Sequence, residues 1–113
     1  MLYIKNFNQL LESIKNINSK NNWNIGYNHY PGHDLDVTLS ERTNVTEDVF
    51  EKIIEMIVQK CQKSNLIGTW VFASFKYQIK ILANVEPNKK EIFIITILGN
   101  NENLKKTNNI IVI

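Results

Sequence analysis

The chain has 113 residues, a formal net charge of +2, 43% hydrophobic and 21% charged residues. That is enough for one core and one soluble domain, and it lacks the strong basic excess of a protein that lives on the phosphate backbone, so nucleic-acid binding is permitted rather than indicated. Cys61 is the single cysteine, which excludes an internal disulfide and a cysteine zinc site, and no apolar run approaches the roughly 20 residues that a membrane span needs.

Residues 6–18 place Phe7, Leu10, Leu11, Ile14 and Ile17 at helical spacing, with Asn6 as cap and Gln9 in capping-box position. The polar run from Asn18 to Asn22 ends this helix. From Trp23 the period becomes two: Trp23, Ile25 and Tyr27 on one side, Asn24 and Asn28 on the other. Pro31-Gly32 suits a type II turn, and Leu35, Val37 and Leu39 alternate with Asp34, Asp36, Thr38 and Ser40. A hairpin over 23–41 follows, in competition with a helix over 33–42 that would put those three apolar residues at the wrong spacing.

The strongest pattern is a helix over 46–63, with Val49, Phe50, Ile53, Ile54, Ile57, Val58 and Cys61 in one stripe. Thr46 is a good N-cap, Glu47 and Asp48 complement the positive end of the helix dipole, and Lys60 and Lys63 the other end. Cys61 on that stripe reads as a small hydrophobe. Residues 68–83 alternate as one long bent strand or as two. Val71, Ala73, Phe75, Tyr77, Ile79 and Ile81 fall on one face, and Trp70, Phe72, Ser74, Lys76, Gln78 and Lys80 on the other. Residues 86–89 turn. Residues 91–98 form a nearly continuous apolar run, as expected of a central strand buried on both faces. Residues 109–113 make a short last strand that completes the sheet or pairs with another chain's edge. The predicted fold class is α+β: two helices packed on a mainly antiparallel sheet, in one domain spanning residues 1–113. The N-terminus lacks a signal-peptide profile, so a cytoplasmic location is the default expectation.

The scarce chemical groups cluster. Residues 30–43 hold His33, two of the three aspartates and the sole arginine, Arg42, against twelve lysines; His29 stands just before them. His29 and His33 could converge across the Pro31-Gly32 turn. With Asp34 and Asp36 they fit solvated turn residues, acid–base chemistry or an N/O metal set. Asp34 and Asp36, at i and i+2 on a strand, share a face, as a carboxylate pair holding Mg²⁺ for phosphoryl or nucleotidyl transfer does. Arg42, just before the second helix, lies near a natural anion site and suits bidentate phosphate recognition. Ser74, Lys76, Gln78 and Lys80 interleaved with Trp70 and Phe72 suit nucleic-acid contact, or a half-core, half-solvated face.

His33, then Glu41-Arg42, then a helix opening Thr46-Glu47-Asp48-Val49-Phe50, resembles the His…Glu-Arg…Ser/Thr-x-x-x-Phe pattern of the RelE-like and RegB-like endoribonucleases, a group of small phage and toxin proteins. The resemblance extends through the strand 68–74, ending in Ser74, and the strand 92–98, which contains Thr96. It implies metal-independent RNA cleavage by attack of a 2′-hydroxyl on the adjacent phosphorus, with no cofactor. It implies that His33 is the acid or base, with Glu41 or His29 as counterpart. Arg42 and Lys76 would hold the scissile phosphate, Ser74 and Thr96 would orient it, and Lys80 would add substrate contact. RNA is then the expected partner, with a protein partner such as an antitoxin or host target also compatible. The competing reading is a non-catalytic inhibitor or protein-interaction module on the same scaffold.

Overall fold

A computed structural model describes residues 7–20, 22–27, 45–99 and 109–113. They form helix α1 (Phe7–Lys20), strand β1 (Asn24–Tyr27), helix α2 (Glu47–Ser64), strands β2 (Gly68–Ser74), β3 (Ile79–Glu86) and β4 (Glu91–Gly99), and strand β5 (Ile110–Val112). A single 3₁₀ turn, Pro87–Lys89, joins β3 to β4. Two helices on a five-stranded sheet make this an α+β fold. None of the helices among the described residues is long and apolar enough to cross a membrane.

The sheet order is β1-β4-β3-β2-β5. β2, β3 and β4 form an antiparallel meander; β1 joins β4 and β5 joins β2 in parallel. β3 therefore runs against the other four strands, and the sheet is mixed. Sequence alternation identified the strands but could not rank their neighbours, because parallel partners arrive by long connections that leave no local signal.

Helix α2 begins where the sequence indicates. Thr46 sits in an extended conformation and its hydroxyl accepts a bond from the Val49 amide at 3.2 Å. The helix ends on Asn65 in the left-handed region, whose amide donates to the Cys61 carbonyl. Phe50, Ile53, Ile54, Ile57, Val58 and Cys61 are buried, as the stripe predicts. Burial pushes the Cys61 thiol up to about 11, so it stays protonated and unreactive at neutral pH. Leu10, Ile14 and Ile17 of α1 join the same core, which the sheet closes with Ile25, Tyr27, Phe72, Ile79, Ile81, Ala83, Val85, Ile92, Ile94 and Ile97.

Those sheet residues all point one way, so both helices lie on one face. Two sequence expectations are corrected here. First, of the two alternatives for residues 68–83 the two-strand one holds, but the faces assigned to them change, because a four-residue turn, 75–78, joins the strands with Ser74 paired to Ile79. Partners across a ladder share a face, so an even-length turn reverses parity. Trp70, Phe72 and Ser74 therefore belong with Ile79 and Ile81, on the core side. Val71 and Ala73 belong with Lys80, on the other side. Second, β4 is not buried on both faces. Ala83 pairs with Ile94 but Leu82 with Thr96, which leaves Ile95 as the extra residue of a bulge. The bulge lets Ile92, Ile94 and Ile97 all reach the core while Phe93 and Thr96 stay half-buried opposite.

Asn18 corrects a third expectation. It lies within α1, and its side-chain amide acts as a strand substitute against the outer edge of β1. Its Nδ2 donates to the Ile25 carbonyl at 3.0 Å, and the Ile25 amide donates to its Oδ1 at 2.8 Å. Asn18→Ala leaves both backbone groups of Ile25 unmatched in a part-buried position. The expected loss is about 1–3 kcal/mol, measured by urea unfolding, with protection of the Ile25 amide falling in hydrogen exchange.

Candidate nucleic-acid interface

The sheet face opposite the two described helices is built in rows, because ladder partners stand side by side. One row runs Gly26, Phe93, Asn84, Thr69 across β1, β4, β3 and β2. The next runs Thr96, Leu82, Val71, Ile110, and a third holds Lys80, Ala73 and Val112. Val71 and Ala73 are buried, whereas Phe93, Thr96, Leu82, Lys80 and Asn84 are half-buried and Thr69 is exposed. Asn84 Nδ2 donates to Thr69 Oγ1 at 3.2 Å, which orients the amide within its row.

Phe93 owes its pose to Gly26. A Cβ added at Gly26 would meet Phe93 Cδ2 at 3.0 Å and Cε2 at 3.4 Å. With no side chain there, one edge of the ring packs close against the β1 backbone. The result is a half-buried aromatic plate beside the Asn84 amide, one row from Thr96.

Charge is divided along this face. Lys80 and the turn residue Lys76 mark one end, and Glu86 and Glu91, a ladder pair, mark the other. Glu86 is met by Lys89 at 3.4 Å. Lys76 is exposed, its Nζ 5.3 Å from the centroid of the Tyr77 ring. A polyanion crossing the face meets cations at the turn end and carboxylates at the other, so the potential gives it an orientation.

Of the residues singled out in the sequence, Lys80 and Thr96 share this open face, and Lys76 sits at its turn end. Ser74 does not join them. It is 1% exposed on the core side, and its Oγ accepts a bond from the Tyr77 amide at 3.3 Å, which braces the turn. A substrate phosphate cannot reach a hydroxyl so enclosed without opening the turn. His29, His33, Glu41 and Arg42 lie outside the described residues, as do Asp34 and Asp36 and the second arm of the predicted hairpin. Sequence reading missed Phe93, Asn84 and Thr69. The one sequence signal for Phe93 was Gly26, a glycine inside a strand, which marks close approach of a neighbour.

Comparisons with protein-family models, with curated proteins and with solved structures each return no match.

Proposed function

We propose that this protein binds single-stranded RNA across the open face of its sheet and cleaves it without a metal ion, by 2′-hydroxyl transesterification. The observation that carries the reading is the Phe93 ring, packed closely against Gly26 and flanked by Asn84 on a face free of helices among the described residues. An aromatic plate on a sheet accepts a splayed base, and neighbouring amide and hydroxyl groups meet its edge. Lys80 and Lys76 take the backbone that leaves this platform.

The direction of β1 supports the catalytic part. β1 runs parallel to β4, whose far end, Gly99, pairs with Ile79 beside the 75–78 turn. β1 thus points toward the cationic end of the face, and His29 and His33 follow it in the sequence. In the proposed reaction His33 takes the 2′-hydroxyl proton or protonates the leaving 5′ oxygen, with Glu41 or His29 as its counterpart. Arg42 and Lys76 neutralise charge that builds on phosphorus. Ser74 has only a bracing role, and Thr96 stays a candidate for base or phosphate contact.

Fluorescence anisotropy with a labelled single-stranded oligoribonucleotide tests the reading. Phe93→Ala is expected to cost about 1–3 kcal/mol of binding free energy, the value of one stacked base. Lys80→Ala should weaken binding evenly across sequences and lower the slope of log affinity against log salt by about one. Unchanged affinity in Phe93→Ala would remove the platform from the account.

A further inference from the structure

The two edges of the sheet are finished differently. At β1 the outward amide and carbonyl of Ile25 are taken up by Asn18. At β5 nothing among the described residues does the same. The Val71 amide donates to the Asn109 carbonyl at 2.8 Å, and the Ile113 amide donates to the Ala73 carbonyl at 2.9 Å. In a parallel ladder successive residues alternate direction, so Asn109, Ile111 and Ile113 turn their backbone groups inward to β2. Ile110 and Val112 turn theirs outward. Their side chains are 58% and 53% exposed. The strand Ile110–Val112 has no charge, proline or bulge, the usual devices that blunt an edge.

A groove of about 280 Å³ opens beside this edge, between α2 and the end of β5, lined by Met56, Gln59, Lys60, Lys63, Val112 and Ile113. Among the described residues neither lysine is in an ion pair. Along α2 the carboxylates lie upstream, at Glu55 and at Glu51, and Glu51 is engaged by Lys20 at 3.0 Å. The groove therefore offers two uncompensated cations, a thioether and aliphatic surface, directly under an unpaired strand edge.

We infer that the β5 edge accepts an extended segment of a partner protein, alternating acidic and apolar residues, as a sixth strand. Main-chain bonds to Ile110 and Val112 supply affinity, and alternate side chains supply selectivity. Residues on the open side pack against Ile110 and Val112; those on the helix side bring carboxylates to Lys60 and Lys63. A second copy of this chain suits the edge less well. It would bring its own Lys60 and Lys63 to a junction whose charge is already positive, and like charges across an interface oppose pairing. The site stands three strands along the sheet from the strand that carries Phe93 and does not depend on the RNA reading.

The test is isothermal titration with a capped peptide of alternating valine and glutamate, and with its valine–lysine counterpart. Saturable one-to-one binding of the glutamate peptide is expected, at least about tenfold tighter than the lysine peptide. The double variant Lys60→Glu, Lys63→Glu should reverse that preference. Val112→Pro deletes an outward amide while sparing the Ile113-to-Ala73 bond, and should abolish binding with its circular dichroism intact. Ile110→Lys, at an exposed position, gives a second edge block that touches no core residue. Failure of the glutamate peptide to bind, or equal binding of both peptides, would overturn the inference. So would a wild-type dimer in sedimentation that Val112→Pro converts to monomer, since a second copy would then hold the edge.

Discussion

Phe72→Ala is expected to destabilise the fold by about 3–5 kcal/mol, a large part of the roughly 5–15 kcal/mol a domain of this size commands. Phe72 is fully buried, with Ile81 beside it on β3 and Ile111 on β5. Removing the ring opens a cavity under α2 that these β-branched neighbours cannot collapse to fill. The urea midpoint should fall with little change in slope. Phe93→Ala removes the same atoms from a half-buried site on the opposite face and should cost less, about 1–2 kcal/mol, because part of the ring stays in contact with water on folding. The pair separates the two faces of one sheet by function. If both variants lost comparable stability, the open face would be a second core, and the RNA platform would have no surface to occupy.

What the sequence made legible follows from how far each signal reaches. The α2 stripe and its Thr46 cap are local, so the helix was read from its first turn to its last. Strands were recognised by alternation, but faces were not, since alternation is relative and every insertion resets it. The 75–78 turn holds no glycine or proline to announce itself; Gln78 takes the positive φ of 54°. Residues 91–98 were read as buried on both faces, whereas the bulge at Ile95 gives three core residues with Phe93 and Thr96 only half-buried on the other face. The polar run that marks the end of the first helix gave no sign of Asn18's task, which depends on a strand edge that only tertiary structure supplies. The parallel placement of β1 and β5 was illegible for the same reason. Of the candidate site, Lys80 and Thr96 were found for an incomplete reason. Their shared face depends on both parity changes, at the turn and at the bulge.

His33→Ala gives the second large effect, on chemistry rather than stability. A positioned imidazole acting in general acid–base catalysis contributes about 10²–10⁴-fold, so cleavage of a single-stranded RNA should fall by that factor. The assay is run with EDTA present, and wild-type cleavage should persist in it, because the proposed mechanism draws its charge stabilisation from Arg42 and Lys76. The kinetic split carries the argument further. His33→Ala should lower kcat with oligonucleotide affinity unchanged, whereas Phe93→Ala should raise KM and leave kcat nearly alone, since stacking holds ground state and transition state alike. Cleavage that needs Mg²⁺ and fails in Asp36→Asn would transfer the chemistry to the Asp34–Asp36 pair. RNA binding that depends on Phe93 with no cleavage under any condition would leave a binding protein, and the cluster at residues 30–43 would then need a different ligand.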